Sequence, residues 1–449
     1  MKKKTDILII GGGPAGVVAA ITAKKNYSSK KVTLVRKEKK SIIPCGIPYV
    51  FRRLKSVDEN IMSDKSLNDN NINLIIGTAL KINSNKKEVL LNGGKIFSYN
   101  KLILACGSKL QSVPIPGIEK KGVWLVKKDF DYLKKFRKAV LKSKKIIIIG
   151  GGFIGVEFAD ELSEIKGLDV SIIEMADHCL ITNFDKEFAL AAEEKLKSKQ
   201  VKIYTKTKVG EIGGKNKVEY VKLDNGKKIL ADLIILSIGS FPNVDLANDA
   251  GIKTQKKGGI CIDKYLKTSA SDIFAVGDCS QTKDFITGKN IPIMLASVAT
   301  SEARIVASNL YEKKLIRKNN GTIGVFSTCI DDLALGTVGL TEQRAKREGF
   351  KYIVGEAQAP NHHPAKLANT ELIKVKLIFS KSSKNLFLGG EVMGPKNVGE
   401  ILNILSMAIQ QKASISDFNN WQISTHPLLT SAPTVYPLIV AAQNAMLKI

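Results

Sequence analysis

The chain has no Cys-x-x-Cys pair; its six cysteines stand apart at positions 45, 106, 179, 261, 279 and 329. That spacing argues against a disulfide scaffold and a structural zinc site, and it fits a reducing compartment. Histidine is scarce, with only His178, His362, His363 and His426. Acidic residues are outnumbered, 42 Asp and Glu against 69 Lys and Arg, for a formal net charge of +27. Such an excess suits anionic partners. Yet the lysines are scattered over helix faces such as Lys195-Leu-Lys197-Ser-Lys199 and loops such as Lys37 to Lys40. No nucleic-acid-binding motif accompanies them, so nucleic acid is not the expected partner. The charge reads as solvated surface, and attraction of a small anionic substrate is its better functional use. Long apolar runs are also missing. The stretch Val435 to Met446 is too short and too interrupted to span a bilayer. The basic start, Met1 to Asp6, leads into a strand and a glycine turn rather than a cleavable signal. The expected setting is the cytoplasm, with no membrane and no metal.

What is present is ordinary globular composition, 44% apolar and 25% charged over 449 residues. That length accommodates two or three domains. Two segments share one pattern. The first runs from strand Asp6–Ile10 through Gly11-Gly12-Gly13-Pro14-Ala15-Gly16 into a helical run over Val17–Lys25 and a second strand, Lys31–Val35. Gly11 permits the tight turn, Gly13 lets backbone approach a pyrophosphate, and Gly16 allows close helix–strand packing. The helix start offers N–H groups and a positive dipole end to phosphate. In a strand–turn–helix frame this is a strong dinucleotide signal. One feature departs from it: Arg36 stands where an acid should take the ribose hydroxyls, and the nearest acid is Glu38. Either Glu38 reaches back, or backbone and water hold the ribose.

The second segment is strand Lys145–Ile149, then Gly150-Gly151-Gly152-Phe153-Ile154-Gly155, then a helix beginning Val156-Glu157. Its next strand, Asp169–Ile173, ends in Glu174. An acid about 20 residues past the turn accepts both ribose hydroxyls and repels a 2′-phosphate, which favours NADH over NADPH. Two such units in one chain point to two bound dinucleotides and electron transfer between them.

Cys45 lies in Ser41-Ile-Ile-Pro-Cys45-Gly-Ile-Pro-Tyr49, shortly after the first unit. A thiol there suggests redox chemistry beside a cofactor, but position 41 is Ser and supplies no second thiol. The sequence after Cys45 reads as a helix start, whose N-terminus would favour the thiolate.

These segments resemble the FAD-dependent pyridine nucleotide-disulfide oxidoreductases along essentially the whole chain. Tyr99 to Ser108 is similar to the family's chain-crossing segment, with Cys106 where Thr is usual, and Thr268 to Cys279 is similar to its second flavin motif. Ile238 to Asn243 and Asn183 to Glu187 also resemble family stretches. The Cys45 segment resembles the single-cysteine subgroup of coenzyme A-disulfide reductases, NADH oxidases, NADH peroxidases and persulfide reductases. The resemblance implies an α/β fold of two Rossmann-like dinucleotide-binding domains plus an α+β dimerisation domain. The implied layout is FAD-binding segments 1–115 and 245–322, an NAD(P)H-binding domain at 116–244, and a dimerisation domain at 323–449.

The cofactors so implied are FAD and NADH, with NADPH possible, and coenzyme A as substrate or Cys45 adduct. The implied FAD site comprises Gly11, Gly13, Pro14, Ala15, Gly16, Ser41, Ala105, Gly107 and Asp278, the last for the ribityl chain; Gly239, in the return from the NAD domain, is a further implied cofactor-binding position. The nicotinamide cofactor is expected at Gly150, Gly152, Phe153, Ile154, Gly155, Glu157 and Glu174, with Phe153 as an aromatic gate. Lys24 and Lys25 match basic residues near the nucleotide part of coenzyme A, or else are solvated helix-end lysines. Pro14 stands where the peroxidase branch has His. His426 and, secondarily, His363 match a proton donor acting across a homodimer. His178 reads as surface. Trp421 and Tyr436 line the pocket or pack the core. Cys106, Cys261, Cys279 and Cys329 read as structural or incidental. Implied catalysis passes electrons from NADH through FAD to Cys45, which reduces coenzyme A disulfide, a persulfide or a related small disulfide. An NADH oxidase reducing oxygen is the alternative, and a redox-sensing or polyanion-binding flavoprotein a distant one.

Overall fold

A computed structural model describes residues 2–255, 258–312 and 318–449. The chain folds into two compact units. One comprises residues 1–113, 126–138 and 238–322; the other comprises 114–125, 139–237 and 323–449.

The first unit is built on a five-stranded parallel sheet. Its order is Ile273–Ala275, Lys101–Leu104, Ile7–Ile10, Val32–Arg36 and Asn73–Ile76. Strands covered on both faces lose the polar alternation of a half-exposed sheet, and Ile7, Leu8 and Ile9 are all fully buried. Helix Pro14–Asn26 packs on this sheet and on helix Ala296–Ser308. It extends beyond the predicted Val17–Lys25 at both ends. Pro14 starts it, where the missing N–H costs no intrahelical bond. The small residues Ala19, Ala20, Ala23, Ala303 and Ala307 are fully buried and let these two helices approach closely.

The second unit holds another parallel sheet, ordered Val123–Leu125, Leu233–Leu236, Lys145–Ile149, Asp169–Ile173 and Lys202–Tyr204. Its last part is a five-stranded antiparallel sheet, ordered Val325–Ile330, Leu333–Gly339, Phe387–Gly394, Leu372–Ser380 and Tyr352–Pro360. Helices Val398–Gln410 and Pro437–Met446 pack on that sheet. A buried ion cluster ties the two parts of this unit. Lys376 reaches Asp185 at 2.9 Å, Glu187 at 2.7 Å and Glu342 at 2.6 Å, and Asp185 accepts the backbone N–H groups of Glu342 and Gln343. Burial disfavours the charged form of Lys376, but hydrogen bonds to Glu187, Glu342 and Asp185 outweigh it and raise its pKa above the ordinary lysine value. Among the described residues no helix is long and apolar enough to cross a membrane.

Candidate functional site

Each parallel sheet ends in a glycine turn opening onto a helix. At the first, Gly11 has φ +116, and a Cβ there would come 2.0 Å from Ala105 O. A Cβ at Gly16 would come 1.9 Å from Gly11 O. The second turn repeats this: Gly150 has φ +106, and a Cβ at Gly155 would lie 1.9 Å from Gly150 O. Gly13 and Gly152 face outward instead, with nothing among the described residues within 4 Å of a Cβ. Among those residues, too, no side chain caps the helices Pro14–Asn26 and Phe153–Ser163. Their first-turn N–H groups are therefore available to an anion. Both turns fit a dinucleotide pyrophosphate.

Behind the turns the two units differ. Arg36 is 3% exposed, and its alkyl stem fills the space beneath Gly12. Its guanidinium makes a two-pronged pair with Asp64 at 2.5 and 2.7 Å, and donates to Glu38 O and Lys39 O at 2.9 Å each. Glu38 thus contributes a carbonyl to Arg36. Glu174 instead accepts the Gly151 N–H at 2.6 Å and the Ala176 N–H at 2.7 Å. Cys179 lies beneath Gly151, buried, with its thiol pKa pushed up to about 12 by burial and by the charges of Glu193 and Glu174.

Further residues converge on the first turn. Ala105 N–H donates to Ile10 O at 2.8 Å, and Asn243 N–H to Gly107 O at 3.0 Å. Asp278 accepts from Ser108 Oγ at 3.0 Å and lies 3.6 Å from Lys128 Nζ. Gly107 and Gly239 have positive φ and open space where a Cβ would stand. Glu302, missed in the sequence, accepts Gly277 N–H at 2.7 Å and Ser280 Oγ–H at 3.0 Å, so it holds the turn that carries Asp278. Burial raises its pKa to about 7. Lys24 donates to Ser28 O at 2.6 Å and Lys30 O at 3.1 Å, so its ammonium serves its own helix end, while Lys25 is exposed.

Ser41 is buried, and its hydroxyl donates to Gly12 O at 3.1 Å, joining the cysteine segment to the glycine turn. Cys45 is exposed on a 3₁₀ turn, Pro44–Gly46, followed by a second, Pro48–Phe51. The expected helix is therefore absent. Pro48 lacks the N–H that a continuing α-helix would need to bond the Pro44 carbonyl. A helix-dipole argument for the Cys45 thiolate falls with it. Asn60 takes over the positioning. It is 2% exposed, its amide donates to Ile43 O at 3.0 Å, and a Cβ on Gly46 would collide with it at 2.0 Å. Arg137 Nε holds Val50 O at 2.7 Å. Neither residue carried a sequence signal.

In the second unit Phe153 stacks on Phe326, with centroids 5.6 Å apart, and also meets Phe184. Ile154 is exposed. Glu157 accepts from Thr328 Oγ at 3.4 Å. Burial raises its pKa to about 7, with Thr328 opposing and Asp160 and Glu161 adding to the rise. The two histidine motifs come together: His363 N–H donates to Pro427 O at 3.0 Å, and His363 Nδ1 lies 3.0 Å from Thr430 O. His426 is exposed, and its Nδ1 accepts the Leu428 N–H at 3.2 Å. A neutral ring so held carries its proton on Nε2. Two other expectations change. His178 is not surface; its ring is 19% exposed and lies 3.5 Å from Glu193. Trp421 and Tyr436 meet edge to face at 6.1 Å and continue a packed aromatic series through Phe418, which favours core packing.

Residues 5–303 match the pyridine nucleotide-disulphide oxidoreductase family, and residues 325–435 match the dimerisation domain of that family. The chain belongs to this family. It is therefore an FAD- and NAD(P)H-dependent oxidoreductase. It is 30% identical to an NADH oxidase of Methanocaldococcus jannaschii, over 98% of this chain and 99% of that one. It is 31% identical to a Pyrococcus horikoshii NAD(P)H coenzyme A polysulfide/persulfide reductase, over 81% and 82% respectively. The solved structure of a NAD-dependent persulfide reductase from A. fulgidus superposes with a TM-score of 0.91 at 29% identity, covering all of this chain and 83% of the other.

Proposed function

We propose that the protein uses NADH to reduce coenzyme A disulfide, coenzyme A persulfide or a related small disulfide through Cys45. The observation that carries this reading is Cys45 itself, exposed on a proline-braced turn whose position 41 is a buried Ser bonded to Gly12 O. Position 41 supplies no second thiol, and on this reading the disulfide partner is a diffusible molecule. When bound, FAD accepts hydride from the nicotinamide and makes an electron pair available to sulfur. The Cys45 thiolate attacks one sulfur of the substrate, forming a mixed disulfide and expelling the other half as a thiolate. An electron pair then cleaves the mixed disulfide, restoring the Cys45 thiolate and releasing the second thiol. One NADH, one disulfide and one proton thus give NAD⁺ and two thiols.

His426 of the partner subunit, with Nε2–H outward, supplies the proton to the departing thiolate, and His363 braces its loop. The exposed Leu428 and Leu429 beside His426 suit a face covered in a homodimer. Asp278, Gly107, Gly239 and the Gly11–Gly16 turn are assigned to FAD, and Glu174, Phe153, Glu157 and the Gly150–Gly155 turn to the nicotinamide cofactor. Exposed Lys25 is the cation assigned to the phosphates of coenzyme A; Lys24 is already engaged. The four-segment layout of 1–115, 116–244, 245–322 and 323–449 is our functional division of the chain.

An NADH oxidase reading is kept because a relative that spans nearly the whole chain carries that name. Intact mass of the native protein separates the two. A reducible adduct with the mass of coenzyme A on Cys45 supports the disulfide reading. A Cys45 sulfenic acid, with oxygen-dependent NADH consumption and no disulfide turnover, supports the oxidase.

A further inference from the structure

Cys106 and Cys279 lie just past the carboxyl ends of neighbouring parallel strands. Lys101–Leu104 pairs with Ile273–Ala275, and Val276 N–H continues the ladder onto Leu104 O at 2.9 Å. From there one chain runs to Cys106 and the other through the Gly277–Cys279 turn. The Cys279 thiol sits 3.5 Å from Leu104 O and 3.4 Å from Val276 O, which places it beside the strand end that leads to Cys106. Cys279 is fully buried, Cys106 is half-buried, and both pack in one apolar cluster with Leu104 and Ala275. The two positions are far apart in sequence, which is why neither looked paired.

We propose that Cys106 and Cys279 are a second redox site, a dithiol that hydroperoxides convert to a disulfide. Cys106, the less buried of the two residues, attacks one peroxide oxygen as thiolate. The O–O bond breaks, a sulfenic acid forms, and the departing oxygen takes a proton and leaves as water. Cys279 sulfur then attacks the sulfenic sulfur; the S–S bond forms and the second oxygen leaves as water. The thiol pair gives up two electrons and one hydrogen peroxide becomes two waters. The Cys279 contact, burial and the charge of Asp245 keep the Cys106 proton on, so conversion requires excess peroxide. The product joins the loop of Gly107 and Ser108 to the turn of Asp278, two segments otherwise linked here by the Ser108–Asp278 hydrogen bond. A cross-link there slows departure of FAD. That consequence rests on the flavin assignment of Gly107 and Asp278, whereas the cross-link does not.

The test is Cys45→Ser holoenzyme treated with excess hydrogen peroxide, alkylated with iodoacetamide in denaturant, and digested without reduction. The expected product is the Cys106 peptide joined to the Cys279 peptide, lighter by two hydrogens, with dithiothreitol restoring two alkylatable thiols. FAD release should slow several-fold after oxidation, and by nothing in Cys45→Ser/Cys106→Ala. Two alkylated thiols after peroxide, or sulfinic acid on either without cross-link, overturns the proposal. A cross-link that leaves FAD release unchanged overturns the clamp. Peptide mapping of the wild-type protein serves equally if the variant does not fold.

Discussion

Behind the turn Gly11–Gly16 the second strand of its sheet ends in Arg36, and behind Gly150–Gly155 the equivalent strand, Asp169–Ile173, is followed directly by Glu174. The turns themselves repeat each other down to the close approach of the sixth position to the first carbonyl, 1.9 Å for a Cβ in both. What stands behind them is opposite in sign. Arg36 is buried and spends its guanidinium on Asp64 and two carbonyls. Glu174 stays half-buried and faces the turn, fixed by two backbone N–H groups. The same glycine turn geometry is thus compatible with either side chain behind it. Arg36 serves stability, while Glu174 keeps its carboxylate at the turn, where we assign it to the nicotinamide cofactor.

The strongest way to break this contrast is Arg36→Met. It removes one partner of a pair whose cation is buried, a change that costs about 3–5 kcal/mol for fully buried pairs. Because Asp64 is 34% exposed, the lower end is expected. Urea unfolding followed by flavin fluorescence should show lower stability with an unaltered NADH/NADPH preference. Unchanged stability would remove the structural role assigned to Arg36.

Next in size are two carboxyls with raised pKa values, the buried Glu302 in one unit and the half-buried Glu157 in the other. Each keeps its proton to about 7 in the folded protein against an ordinary 4.5. The native state thus binds more protons than the unfolded state between those values. Stability is full below about 4.5 and falls as pH rises to about 7, by about 2–3 kcal/mol for each fully desolvated group. Unfolding measured at pH 5 and pH 8 should show a smaller decline in Glu302→Gln and Glu157→Gln than in wild type. Equal declines would contradict the assignment of those protons.

Glu174→Ala sharpens the contrast from the other side. Charge-assisted hydrogen bonds contribute about 1.5–3 kcal/mol, so the ratio of kcat/KM for NADH over NADPH should fall by about 10- to 100-fold. FAD content should not change. An unaltered ratio would mean that Glu174 only braces its own turn.

Much of this arrangement was legible in the sequence. Both glycine turns, both parallel sheets and the position of Glu174 follow from local patterns of apolar residues and glycine. The exceptions have physical reasons. Pro48 forbids an α-helix after Cys45, and its position was readable but went unused. Asn60, Asp64, Arg137 and Glu302 act from distant segments, so no spacing announces them. The Cys106–Cys279 contact and the meeting of His363 with the His426 loop are likewise products of tertiary pairing. His178 looked like surface because it follows the strand leading to Glu174, yet the fold brings Glu193 to 3.5 Å from its ring.

The central claim is that Cys45 alone carries electrons to a diffusible disulfide. Anaerobic turnover with NADH and coenzyme A disulfide, with product thiols counted per NADH, tests it most directly. Wild-type protein should release two thiols per NADH. Cys45→Ser should release none while NADH still bleaches the flavin. Thiol release by Cys45→Ser at the wild-type rate would contradict the account.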